Sequence, residues 1–137
     1  MKNLKSITSF PWESTVLAHL ILRLPELQAL VLFGSCASGR QGADSDIDLA
    51  VLTPQPLAPW PLFQLAQELA DICNRDVDLI DLRSATTVLA AQIISTGEII
   101  SAPSQQEYDS FAGRIYADYA RLNEERRPVL LAYGVAL

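Results

Sequence analysis

A single histidine, His19, and two cysteines, Cys36 and Cys73, leave this 137-residue chain almost without the side chains of nucleophilic catalysis. A Ser-His-Asp or Cys-His mechanism has little material, and the cysteines lack metal-ligand spacing. His19 and Cys73 fall in helical stretches and read as structural; neither cysteine is assigned a redox role. Basic residues are also scarce. Ten Lys and Arg stand against sixteen Asp and Glu, a net charge of −6. Phosphate contacts need Lys and Arg, so a direct nucleic-acid partner is not expected. The same balance suits a basic protein partner, or cations in an acidic pocket. Long hydrophobic runs are missing as well. MKNLKSITSF has no apolar signal core. No stretch is long enough to span a bilayer, and no lipidation signal is visible. A cytoplasmic location without a membrane partner is the expectation.

What is present is enough apolar material for a core. Half of the residues are hydrophobic, and the length is that of one domain. Ser14 is placed to cap a helix running to about Leu24, before Pro25. Ala29 to Phe33 is a short apolar run that suits a buried strand. Ile47 to Leu52 reads as a second strand. The Pro-rich segment Thr53 to Pro61 is a loop rather than a domain boundary. Leu62, Leu65, Ala66, Leu69, Ala70 and Cys73 recur at helical spacing, predicting a helix over Trp60 to Asn74. Val77 to Leu82 alternates as a third strand. A helix over Ala85 to Thr96 ends at Gly97, and Glu98 to Ser101 forms a short edge strand. Ser104 and Glu107 have capping-box spacing for a last helix with an apolar face of Tyr108, Phe111, Ile115, Tyr119 and Leu122. Pro128 is expected to end it, and the apolar tail Val129 to Leu137 to fold back on the domain. Helices interleaved with a few strands define an α/β class.

The informative stretch is GSCASGRQGADSDIDL, Gly34 to Leu49. Residues two apart on a strand share a face, so Asp46 and Asp48 present paired carboxylates while Ile47 and Leu49 turn to the core. Two like charges held close repel, and a divalent cation relieves the conflict. Hard oxygen ligands suit Mg²⁺ or Mn²⁺. At the end of the first strand, Gly34 lets the backbone turn and approach a ligand. Ser35 offers a hydroxyl and a backbone N–H to a phosphate. In the third strand Asp78 can complete a trio; Asp76 shares its face and is a rival, whereas Asp81 points the other way. These parts fit an in-line displacement at phosphorus supported by two metal ions. Asp46 and Asp48 would bridge the metals, Asp78 would serve the attacking side and the proton, and Ser35 would grip the terminal phosphates.

The run from Gly34 to Asp48 resembles the Gly-Ser, ten residues, Asp-x-Asp motif of the minimal nucleotidyltransferase family within the DNA polymerase β superfamily. SDIDLAVL is also typical, and the family's third acid lies in a V-D-L strand, which matches Asp78 better than Asp76. The likeness covers roughly residues 14 to 100. It implies a small mixed β-sheet flanked by helices over about 14–100; the length gives a single domain over 1–137, and the helical pattern a C-terminal helix and tail over about 104–137. The likeness further implies ATP as substrate, two Mg²⁺ ions with Mn²⁺ as a substitute, and nucleotide contacts from Gly34 and Ser35; Arg40 is a further candidate for a phosphate contact, which the family pattern itself does not supply. Many relatives carry an arginine at or near Ser38; here the nearest cation is Arg40.

Family members of this size are often antitoxins. They transfer AMP from ATP to a tyrosine of a HEPN-domain ribonuclease toxin, so the resemblance implies such a partner in a hetero-oligomer. Two other readings differ in class or acceptor. One is transfer to a small molecule such as an aminoglycoside, although such relatives usually carry a further domain. The other is a binding protein that masks a toxin with its aspartates idle.

Overall fold

The computed structural model describes residues 10–34 and 46–134. Four strands form one sheet: β1 (Ala29–Phe33), β2 (Ile47–Leu52), β3 (Val77–Asp81) and β4 (Glu98–Ser101), in the order β3-β2-β1-β4. β1 pairs antiparallel with β2 and with β4, while β2 and β3 run parallel. Parallel neighbours need a long crossover. Helix α2 (Pro59–Cys73) supplies it, with Pro59 at its start and Asn74, at φ 53°, ending it in the left-handed region.

Strand alternation divides the core into two layers. Leu30, Leu32, Ile47, Leu49 and Val51 pack with Val16 and Leu20 of helix α1 (Glu13–Arg23) and with Leu65 and Leu69 of α2. Ala29, Val31, Ala50 and Leu52 pack with Ala90 and Ile93 of helix α3 (Thr87–Thr96) and with Tyr108 and Phe111 of helix α4 (Gln105–Ala132). Fully burying each leucine contributes about 1.5–3 kcal/mol. The small mixed sheet flanked by helices, with a long C-terminal helix, is the architecture the sequence implies.

Several local readings are corrected. α1 begins at Glu13, not after a Ser14 cap; the Phe10 N–H donates to Glu13 Oε2 at 3.1 Å instead. Ser104 makes no side-chain cap bond to α4. Pro128 does not end α4, which continues to Ala132. The described part of the tail does not fold back, as Val129, Leu131 and Tyr133 are exposed. A proline needs only its missing N–H and its ring accommodated, which is easier on a solvent-exposed helix than inside a packed one.

α3 opens where Thr86 Oγ1 accepts the Leu89 N–H at 3.2 Å. Gly97 closes it by close approach: a Cβ there would lie 2.6 Å from Ile93 O and from Val31 Cγ1. The structural reading of His19 stands, although its setting is polar. Its Nε2 lies 2.7 Å from Glu68 Oε1, tying α1 to α2, and Arg23 Nε donates to the same oxygen at 2.9 Å. Cys73 is half-buried against the α1–α2 layer, and burial raises its thiol pKa.

Candidate active site

The candidate carboxylates collect at one end of the sheet, where β1 finishes and β2 and β3 begin. Ile47 and Leu49 point into the α1–α2 layer, so Asp48 between them takes the opposite face, in line with Ala50 and Leu52. The parallel register pairs Asp48 with Asp78. That register separates the rivals in β3. Asp78 is the direct neighbour of Asp48, while Asp76 lies ahead of the strand and its carbonyl accepts the Ile47 N–H at 2.9 Å. Asp46 precedes β2 and is exposed, as is Asp78 on an edge strand.

On the other side of β2, Asp48 is paired with Phe33, the last residue of β1. Gly34 follows with φ +75°. A Cβ at Gly34 would collide with Asp48 Oδ2 and come within 3.0 Å of its Cγ. The glycine thus has two reasons to be there, a left-handed backbone and a carboxylate in the space of its missing side chain. Ser35 and Arg40, expected at the phosphates, lie outside the described residues, as does Cys36.

The electrostatics centre on Asp48. Burial raises its pKa, and the charges of Asp78 and then Asp46 raise it further. A half-buried carboxylate beside two others concentrates negative charge, which suits hard divalent cations. Among the described residues, no three acidic, His or Cys side chains already converge at ion-holding distance. The donor types and their shared repulsion fit Mg²⁺ or Mn²⁺, and ion binding would have to draw the three carboxylates inward.

Asp81, correctly placed on the other face of β3, has a structural part that the sequence reading missed. It is buried and accepts from Leu57 N at 2.8 Å, Arg83 N at 3.0 Å and Ser84 Oγ at 2.9 Å. The signal was present: an aspartate bonding the N–H two residues on is an Asx turn, and Asp81-Leu82-Arg83-Ser84 leaves a strand. Arg83 next to it donates to Thr53 O at 2.8 Å and lies 5.0 Å from the centre of the Phe111 ring. This cluster braces the end of the sheet away from the candidate carboxylates.

A glycine turn at the end of β1, acidic residues at the start of β2 and a further acid on its parallel neighbour are the arrangement expected of a nucleotidyltransferase site. The chain belongs to the polymerase beta nucleotidyltransferase family, whose model matches residues 17–106. It is 39% identical over 118 residues to the protein adenylyltransferase MntA of Shewanella oneidensis, covering 86% of this chain and 84% of that protein. It superposes with TM-score 0.81 and 37% identity on a chain of a toxin–antitoxin crystal structure with AMP-PNP, covering 90% of this chain and 98% of that one. A chain from the complex of tri-AMPylated Shewanella oneidensis HEPN toxin with MNT antitoxin matches at TM-score 0.76 and 32% identity, covering 96% of this chain and 100% of that one. Among the described residues, no helix is long and apolar enough to cross a membrane.

Proposed function

We propose that this chain is an antitoxin adenylyltransferase that transfers AMP from ATP to a tyrosine of a HEPN-domain ribonuclease toxin and so neutralises it. The observation that carries the reading is the register setting Asp48 beside Asp78, with Asp46 two residues before Asp48. The kinship with a protein adenylyltransferase, and the AMP-PNP and AMPylated-toxin complexes of similar chains, support the nucleotide and the acceptor.

Asp46, Asp48 and Asp78 would hold two Mg²⁺ ions, with Mn²⁺ able to substitute. When bound, such ions neutralise the triphosphate and lower the pKa of the attacking hydroxyl. Gly34, lacking a side chain, leaves room for the Asp48 carboxylate itself. Ser35 grips the terminal phosphates, and Arg40 adds positive charge there. The acceptor phenol oxygen forms its bond to the α-phosphorus as the α–β anhydride breaks and pyrophosphate departs. Asp78, exposed on the edge strand, takes the phenol proton. The protein contributes position and charge, and no covalent enzyme intermediate is needed.

The test is label transfer. The purified protein is incubated with Mg²⁺ and α-labelled ATP, alone and with the HEPN-domain product of the adjacent gene. Label on that product, absent with Asp46→Asn, is the expected result. No label, together with neutralisation by Asp46→Asn, would replace the reading with masking by binding. Label on an aminoglycoside rather than on protein would move the acceptor to small molecules.

A further inference from the structure

β3 is an edge strand, and among the described residues no strand pairs with its outer side. Peptide groups along a strand face its two sides alternately. Two bonds fix which of them face β2. The Ile47 N–H donates to Asp76 O at 2.9 Å, and the Leu82 N–H donates to Val51 O at 3.0 Å. In a parallel ladder that sets Asp48 beside Asp78, the peptide groups of Asp76, Asp78, Ile80 and Leu82 therefore turn inward. Those of Val77, Leu79 and Asp81 turn outward. One end of this edge is closed, because Asp81 O accepts the Ser84 and Ala85 N–H groups at 3.0 and 3.1 Å. The open stretch is Val77 and Leu79, the residues on either side of Asp78.

An unpaired strand edge is a template for another strand. Neighbouring strands lie about 4.8 Å apart, and residues directly across from one another share a face. A strand bonded to Val77 and Leu79 would set one of its residues beside Asp78. That residue would extend the row Asp48–Asp78 by one place, on the face that both carboxylates use. The opposite edge of the sheet, β4, lies beyond β1 and carries none of the three aspartates. Charge narrows the occupant. Asp76 and Asp78 are exposed on this edge. Pairing with a second copy of this chain would bring like charges together, whereas a segment with neutral or basic flanks meets no such repulsion.

We propose that the open edge of β3 docks the acceptor: an extended, tyrosine-bearing segment of the HEPN toxin adds to it as a further strand, pairing with Val77 and Leu79 and standing its tyrosine beside Asp78. The inference rests on the adenylyltransferase-antitoxin reading above and gives the acceptor a place and a conformation. The occupant follows from the reaction, since the phenol oxygen has to reach the side that Asp78 serves. The tri-AMPylated toxin in the complex of a similar chain is an acceptor of this kind. In strand addition the main-chain bonds give affinity and the alternate side chains give specificity.

The experiment follows amide hydrogen exchange by NMR on the full-length protein, free and bound to the HEPN-domain product of the adjacent gene. Label transfer to that product is measured on the same preparation. The Val77 and Leu79 amides should exchange at least about tenfold more slowly in the complex. Val77→Pro is the matching variant. It removes one outward N–H, spares the bonds to β2, and falls at the first residue of an edge strand, where proline is tolerated. Its KM for toxin should rise about fivefold to tenfold, the worth of about one hydrogen bond, while its KM for ATP and its melting temperature hold. Equal exchange of both amides in free and toxin-bound protein overturns the proposal, whether or not Val77→Pro folds. A toxin segment that docks as a helix would give that result, and label on the toxin would then leave the proposed function standing. A folded Val77→Pro with the wild-type KM for toxin also overturns it. Protection of the β3 edge in a complex that is never labelled would defeat the proposed function instead and leave the docking surface in place.

Discussion

Gly34 and Asp48 occupy one another's space: the carboxylate of Asp48 stands where a side chain at Gly34 would be. The two residues belong to adjacent strand ends, and the antiparallel register that pairs Phe33 with Asp48 sets Gly34 against it. Gly34→Ala should therefore act twice. The left-handed backbone disfavours alanine by about 1–2 kcal/mol, and the new methyl must displace Asp48. Transfer is expected to fall by at least about tenfold, since misplacing a positioned group by about an ångström costs that much or more. Calorimetric melting and label transfer on the same preparation check both effects. Full activity with a lowered melting temperature would confine the glycine to a backbone role.

Asp48→Asn tests the repulsion among the carboxylates. Burial and the charges of Asp78 and Asp46 raise the Asp48 pKa. A carboxyl with a raised folded pKa binds protons more tightly in the native state. Stability therefore falls as pH rises from the ordinary carboxylate value through the raised one, and stays lower above it. Asn removes that cost. The metal-free variant should melt at or above the wild type at neutral pH, with the gap closing below the ordinary carboxylate range, while transfer is abolished. A large drop in neutral-pH melting temperature would contradict the electrostatic account.

ATP and Mg²⁺ should stabilise the protein together more than the sum of each alone. The carboxylates and the triphosphate would supply oxygen ligands to the same ions. Saturation to about a hundred times Kd corresponds to roughly 2.7 kcal/mol of added stability. Differential scanning fluorimetry with each component and with both is the measurement. Tight Mg²⁺ binding by the bare protein in calorimetry would refute a shared site.

Asp81→Ala should damage the fold and leave the chemistry. The substitution strands the half-buried Leu57 and Arg83 N–H groups, both now bonded to the buried carboxylate, and leaves the Ser84 hydroxyl to water. An unsatisfied buried donor costs about 1–3 kcal/mol. Urea unfolding should report a loss of that size or more, with label transfer per folded molecule near wild type at low temperature.

Local composition and periodicity carried a large part of this protein. The apolar run Ala29 to Phe33, the spacing from Leu62 to Cys73 and the alternation from Val77 onward placed strands and helix close to where they lie, because each pattern reports a buried face. The two-residue repeat predicts Asp46 and Asp48 on one strand face; Asp46 lies just before β2, and its charge reaches Asp48. The helix caps were less legible. Ser14 and Ser104 have the right chemistry, but their side chains do not take the capping bonds, since chain entry angle is set by packing.

Only the tertiary structure decided which of Asp76 and Asp78 meets Asp48, because strand register depends on how a whole hydrophobic face seats against helices far away in sequence. It also decided that Gly34 makes room for a carboxylate, that Asp81 is buried, and that α4 passes Pro128 into solvent. Each of these turns on a neighbour brought in by folding, and a linear pattern encodes the face a residue needs without naming what will stand opposite it.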